Sequence, residues 1–453
     1  SKQMDKIVFG YDLYSPEGEI PNGFYIKHFG ELQDESWYLD RGIKKVKTNL
    51  QENSLVNNSN FYNSYVEKKS VYDIVRDRQG DNEYDWYYLI EPYATFRTTF
   101  LDKISKQALT EIRNYKGKLL ISFIQDGGFG VDQDSFEVLL QFIRTNNISE
   151  DKVYLIFQDF KLEENLTDTF DTKYNFYNFN LAQLHKSQEF NTILHNPGFD
   201  GWSGKIDQVG RLYGEDSIQT HNVFLENITE PKKDFLFFTR HWKLERLLMI
   251  SHIHKLGLDK SKVSWTNKPM ETGPSVSKKL IDEFLSYDNN EEVVDLLMNT
   301  SSVLDIQDIT GIEGYGYESK ELYTQTYISV VGETLFFQDD NFPSGYLSEK
   351  IWKPIGHSHP FVLLAPAFSL KYIKEEFGYL TFGDYIDESY DEEVEDWKRL
   401  EKVKQVMTEF SERSVKDKVN FLKQVSSILK HNQDLFFSMN SKQYIDKVLN
   451  FLR

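Results

Sequence analysis

The chain has 453 residues, 40% of them hydrophobic and 27% charged, with no cysteine and a formal net charge of -19. That length exceeds what one ordinary core organises and implies two or three domains. The missing cysteine excludes disulfides, thiolate catalysis and cysteine-ligated zinc, and the acidic balance argues against a broad footprint for nucleic acid or an anionic membrane. No apolar run reaches the roughly 18 residues of a membrane span and no signal-type segment opens the chain, so a cytoplasmic protein is expected. Aromatic residues make up 15%, with 27 Tyr and 34 Phe, enough for the core and for surfaces that stack on sugars or bases. The Asn-x-Ser/Thr triplets at Asn165 and Asn227 read as chance matches.

In chain order, residues 6–11 (KIVFGY) read as a first strand, and an Asn/Ser cluster at 53–64 reads as loop. The apolar run 86–90 precedes Glu91 and Pro92. A strand at 118–124 (KLLISFI), a turn at 125–130 (QDGGFG), a helix at 135–145 and a strand at 153–157 (VYLIF) together predict a βαβ unit on a parallel sheet. Ligands of such sheets sit beyond the carboxyl ends of strands, where Asp126 and Asp159 fall. Residues 162–232 are less regular. A second unit then starts with a strand at 235–238 (FLFF), the turn Thr239-Arg240-His241, a helix to Lys255 capped by Gly257, and a strand at 263–265. Helices are expected at 276–287 and 291–298.

The stretch from 327 to 365 predicts a buried strand (327–331), an irregular loop, a helix and a second buried strand (360–365). The loop carries Gln338, Asp339, Asp340, Asn341, Pro343 and Gly345, and Ser348 is the expected N-cap. Glu349 and Lys350 then fall in the first turn. A lysine there opposes the helix dipole, which points to an anion, most simply phosphate; an ordinary exposed turn with a solvated Glu-Lys pair is the alternative. An acidic run at 384–396 leads into a helical tail. The expected class is α/β: two doubly wound Rossmann-like domains facing a cleft, 1–232 and 233–390. Helices of 391–453 would pack back across both.

Gly332-Glu333-Thr334 followed by Tyr346-Leu347-Ser348-Glu349-Lys350, then PFVLLAP at 360–366, resembles the donor-binding signature of family-ten (alpha-1,3-) fucosyltransferases. The likeness extends over FFTRHWKLERLLMISHIHKLGL and covers about residues 235–385. It implies a GT-B glycosyltransferase that inverts and needs no metal, with the acceptor bound by 1–232 and the donor by 233–390. Carried across, Lys350 and Arg240 would contact donor phosphates, Glu349 the ribose hydroxyls, and Tyr346 the nucleotide or sugar. His241, Glu333, Thr334 and Ser348 would complete the donor site. The loop between Thr334 and Tyr346 is longer than in that family, and the asparagine expected after the acidic residue is absent, with Asn341 a candidate substitute.

Inversion requires a general base on the acceptor hydroxyl. Asp126 is the first candidate because Gly127-Gly128 lets a substrate approach, although aspartate is also common in turns; Glu91 and Asp159 stand in reserve. Asp132-Gln133-Asp134 has metal-type Asp-x-Asp spacing but reads as the lead into a helix, so no metal is expected. His252 and His254 lie on different helix faces and are no ligand pair. The expected partners are a nucleotide-sugar donor and a carbohydrate or other hydroxyl acceptor. DNA with hydroxylated bases is an alternative if Lys44, Lys45, Lys47, Lys68 and Lys69 form a local basic groove, and a non-catalytic nucleotide-sugar-binding protein is another.

Overall fold

The computed structural model describes residues 6–14, 47–48, 65–90, 101, 104–123, 133–195, 218–239, 241–265, 274–302, 304, 320–338 and 341–453. Twelve strands occur among them: β1 (Ile7–Tyr11), β2 (Leu13–Tyr14), β3 (Lys47–Thr48), β4 (Val66–Ser70), β5 (Trp86–Ile90), β6 (Gly117–Phe123), β7 (Val153–Phe157), β8 (Asn175–Asn178), β9 (Lys233–Thr239), β10 (Lys262–Trp265), β11 (Thr326–Gly332) and β12 (Phe361–Leu364). β2 and β3 form a small antiparallel pair, and the other pairings between these strands are parallel. Six strands make one sheet in the order β4-β1-β5-β6-β7-β8, and four make another in the order β10-β9-β11-β12. The α/β class with two doubly wound sheets and a helical C-terminal region is therefore what the chain adopts.

Continuous apolar runs such as WYYLI and VYLIF suit strands covered on both faces, and every residue of β5 and β11 is buried. The chain divides into two compact units. The first takes the described residues of Ser1–Leu181, Asp339–Tyr346 and Ser441–Arg453; the second takes those of Ala182–Gln338 and Leu347–Asn440. The partition drawn from sequence had its borders at 232 and 390. The helix Leu181–His195 packs with the second unit through Ser187, whose hydroxyl donates to the Phe436 carbonyl (2.6 Å), and through Phe190, which packs edge-on against Phe436.

The first unit's core joins Trp86, Tyr88, Leu119, Ile121, Phe136, Leu155 and Phe157. Gly10 of β1 lies under Trp86: a Cβ there would sit 2.3 Å from the indole ring. Gly10→Ala should therefore cost about 1–3 kcal/mol by overpacking, measured as a lower denaturation midpoint with an unchanged slope. The last helix, Ser441–Leu452, closes the same unit, with the Tyr87 hydroxyl donating to the Leu452 carbonyl and Phe451 against Tyr154.

In the second unit the helices Asp396–Ser411 and Val415–Phe437 are tied to β9 at Asp234, whose Oδ2 accepts the Ser411 hydroxyl (2.8 Å) and whose Oδ1 pairs with buried Lys418 Nζ (2.7 Å). Buried Arg399 donates to the carbonyls of Ala365 and Phe336 and to Asp396. Among the described residues no helix is long and apolar enough to cross a membrane.

One expected element differs. The helix expected from Ser348 onward is the five-residue Trp352–Gly356, preceded by a turn at 349–351. The groups that a first helical turn would leave open are instead taken up by a side chain of the preceding strand's end, as described next.

Candidate functional site

The second sheet changes direction beside β9: the chain passes from β9 to its neighbour β10, then crosses to β11 on the other side. The crevice beyond the carboxyl ends of the strands at such a switch point is where doubly wound sheets bind ligands. β11 ends at Gly332, and the next residue, Glu333, is fully buried. Its Oε2 accepts the Ser348 N–H (2.9 Å), the Ser348 hydroxyl (2.6 Å) and the Thr334 N–H (3.2 Å), while Oε1 accepts the Ile351 N–H (3.1 Å). The carboxylate thus shapes the turn that bears Ser348, Glu349 and Lys350.

Lys350 is half-buried, and its ammonium donates to Ser348 Oγ (3.1 Å), Thr334 Oγ1 (3.2 Å) and Glu349 Oε1 (3.2 Å). Glu349, 42% exposed, would be raised by burial, but Lys350, Lys353 and Lys186 outweigh that and bring its pKa down to about 2. It stays a carboxylate at every ordinary pH. Five of the sequence candidates, Glu333, Thr334, Ser348, Glu349 and Lys350, therefore form one hydrogen-bonded group.

From β9 the chain turns through His241 into the helix Leu244–Gly257. Two cations at its head were not singled out from sequence. Arg246 is buried and donates to the carbonyls of Gly332 (3.1 Å), Glu333 (3.0 Å) and His241 (3.2 Å), which fixes the end of β11 against the loop after β9. Lys243, the N-cap residue, donates from Nζ to the Thr334 carbonyl. Burial and then the nearby Arg246 lower its pKa to about 8; Lys350 adds to this, while Glu245 and Glu333 oppose it. Their spacing, one helical turn apart at a helix start, is one that ordinary helix-surface cations share, and what sets them apart is contact with residues 332–334.

The remaining candidates lie elsewhere or outside the described residues. Asp126, Glu91, Arg240 and Asp132 are outside them, as are Lys44 and Lys45. His241 meets the group through its backbone carbonyl. Tyr346, buried, and Asn341, exposed, belong to the first unit, as does Asp159. Asp159 Oδ1 accepts the N–H groups of Gly345 (2.7 Å) and Lys161 (3.0 Å), and burial raises its pKa. A Cβ on Gly345 would lie 2.7 Å from the Phe160 ring, so glycine is required for that approach. Asp134 is exposed at the head of the helix Gln133–Thr145.

His252 bonds the Lys404 carbonyl and Thr408 through Nε2, a packing role. Asn165 is buried with its amide on the Pro343 carbonyl (2.6 Å), so it is no glycan acceptor in the fold. Of the lysines offered for DNA, Lys68 is exposed, whereas Lys69 is held by Asp77 at 2.9 Å. Asp12 follows β1 at the first sheet's own switch point and was not singled out either. It is fully buried and accepts the Tyr88 hydroxyl (2.7 Å) and the Ser105 N–H (2.9 Å).

No family model and no curated protein matches the chain. Among solved structures it is similar to the N-terminal domain of trehalose-6-phosphate phosphatase from Candida albicans, at 11% identity and a TM-score of 0.38 over 84% of this chain and 75% of that one. It is also similar to α,α-trehalose 6-phosphate synthase from Burkholderia multivorans, at 11% identity and 0.38 over 82% and 72%. Neither likeness carries a residue across. The resemblance to family-ten fucosyltransferases rests on the quoted motifs alone.

Proposed function

We propose that the chain is a glycosyltransferase of the GT-B kind that moves a sugar from a nucleotide-sugar donor to a hydroxyl acceptor, inverting the anomeric carbon without a metal. The observation that carries this is the Lys350 turn. A lysine braced by Thr334, Ser348 and Glu349 lies beyond the carboxyl end of β11, on the sheet that switches direction at β9. In the reaction the acceptor hydroxyl gives its proton to a carboxylate as its oxygen attacks the anomeric carbon. The bond from that carbon to the β-phosphate oxygen breaks, and the electron pair leaves with the nucleoside diphosphate. Charge grows on the leaving phosphates, so a fixed ammonium there stabilises the transition state more than the ground state.

Lys350 and Arg240 take the phosphates in this scheme. Glu349, ionised at neutral pH, accepts the ribose hydroxyls. Tyr346 and Asn341 contact the nucleotide or sugar, and Asp126 is the base, with Glu91 and Asp159 in reserve. The transferred group is a hexose or a pentose.

The test is a panel of nucleotide sugars assayed for thermal stabilisation and for hydrolysis without acceptor. A ligand at 100 times its Kd adds about 2.7 kcal/mol of stability. Lys350→Ala should lower turnover roughly 10- to 150-fold, the equivalent of a charge-assisted hydrogen bond of about 1.5–3 kcal/mol, with an unchanged melting midpoint. Wild-type turnover in that variant, or a wild-type chain indifferent to every nucleotide sugar, overturns the proposal.

A further inference from the structure

Lys243 is an odd residue to find where it is. It caps a 14-residue helix whose N-terminal end favours negative charge, and its side chain makes no capping bond there. Instead the ammonium is turned toward the loop after β11, where it donates to the Thr334 carbonyl. Lys350, arriving from the other side of that loop, donates to the hydroxyl of the same residue at 3.2 Å. Two lysines from different elements thus converge on Thr334. Both lie in the second unit, beyond the carboxyl ends of the neighbouring strands β9 and β11.

Their local charges do not balance in Lys243's favour. The groups facing it are Arg246 and Glu245 on its own helix, and Lys350 and Glu333 from the β11 end. Glu333 is committed to four donors of the turn, and Glu349 lies beside Lys350. Among the described residues Lys243 has a carbonyl oxygen as its hydrogen-bond acceptor and no carboxylate bonded to it. A half-buried ammonium in that position is stabilised by an added anion.

We propose that Lys243 is a diphosphate-binding residue of this site, gripping the anion together with Lys350. The inference rests on the nucleotide-sugar reading for the identity of its natural ligand, but the pair itself is a statement about any diphosphate. It has a signature that a purely structural lysine lacks. With a pKa of about 8 in the free protein, Lys243 is charged at pH 7 and largely neutral at pH 9. An anion that binds only the ammonium form raises that pKa and takes up a proton on binding. Affinity then falls as pH rises through 8, by about tenfold between pH 7 and pH 9 for one such group.

The probes are inorganic pyrophosphate, GDP and UDP, titrated calorimetrically against the full chain at pH 7 and pH 9 in buffers of differing ionisation enthalpy. Wild type should bind about tenfold more weakly at pH 9 and take up about three-quarters of a proton at pH 8.5. Lys243→Arg should retain the pH 7 affinity within a few-fold and lose the pH dependence, because guanidinium stays charged throughout. Lys243→Met should bind at least tenfold more weakly at pH 7, with a pH profile as flat as that of Lys243→Arg.

Wild-type affinity and wild-type pH dependence in both variants would overturn the inference while leaving the donor reading intact. Pyrophosphate binding that follows this pattern, with no binding of either nucleotide, would support the lysine pair and count against a guanosine or uridine donor. Binding of neither pyrophosphate nor nucleotide to wild type would overturn both.

Discussion

Glu333→Ala is expected to lower the stability of the second unit by about 3 kcal/mol and to abolish donor binding. The carboxylate is fully buried and is the acceptor for three backbone N–H groups and one hydroxyl. Alanine leaves those donors facing a void. Each unsatisfied buried group costs about 1–3 kcal/mol, and partial collapse or an entering water recovers some of the sum. The turn that carries Ser348, Glu349 and Lys350 would then lose what shapes it, because the short helix Trp352–Gly356 begins only after that turn.

Glu333→Gln separates charge from shape. With its amide oxygen placed where Oε2 lies, the side chain still accepts from Ser348 and Thr334, and its NH2 faces the Ile351 N–H, donor against donor. The loss should be smaller, about 1–2 kcal/mol. Urea unfolding of the three proteins checks the ranking, with Ala below Gln and Gln below wild type. Equal midpoints for Gln and wild type would mean that the Ile351 bond contributes nothing. The family resemblance assigns Glu333 to the donor. Its geometry assigns it to the protein, as the acceptor that holds the Lys350 turn in place.

That reassignment shows where sequence patterns stop being informative. Buried parallel strands announce themselves as apolar runs, so β7 is found at 153–157 as expected and β9, β11 and β12 lie within two residues of their expected bounds. Edge strands do not. β4 (VEKKS) and β8 (NFYN) lie at the two margins of the first sheet, where half-exposed or polar residues are tolerated, and neither carries an apolar run. The Ser348-Glu349-Lys350 motif falls on a turn whose ammonium donates to three side chains.

The expectation of a helix beginning there failed for a physical reason. An N-cap serine normally satisfies the N–H groups of its own first turn. Here the Ser348 oxygen accepts, of those N–H groups, only that of Lys350, at 3.4 Å, while its hydroxyl donates to Glu333, fifteen residues earlier in the chain, and that carboxylate takes the Ile351 N–H. A long-range acceptor cannot be inferred from local spacing. Lys243 and Arg246 escaped notice for the same reason, since what distinguishes them from ordinary helix-surface cations is contact with residues 332–334, some ninety positions away.

Acidification should destabilise the second unit, because His357 and His359 are buried there in the neutral form. His359 is 1% exposed: Nε2 lies 3.0 Å from the Thr326 carbonyl and Nδ1 2.7 Å from Ser329 Oγ. A carbonyl can only accept, so Nε2 carries the proton and Nδ1 accepts from the serine. His357 stacks on Tyr323 at 3.8 Å and accepts the Gln219 N–H at Nδ1, a bond that the protonated ring cannot make. Burial is the main cause in both cases. It brings the pKa of His359 down to about 3 and that of His357 well below the ordinary value, with the neighbouring His359 and Lys353 pushing the latter the same way.

Below pH 6.5 the unfolded chain therefore binds protons that the folded one refuses, and stability falls as pH falls from about 6.5 toward 3. At pH 5 the His359 term alone, with a folded pKa of about 3, amounts to about 2 kcal/mol relative to pH 8. His357 and His221, whose pKa values are also lowered, add in the same direction. Glu245 and Glu388, raised by burial, act oppositely, so the histidine term is best isolated by difference. The loss of unfolding free energy between pH 8 and pH 5 should be about 2 kcal/mol smaller in His359→Gln than in wild type. Identical pH profiles for the two proteins would mean that this histidine is charged in the fold, or that it gains solvent access without unfolding.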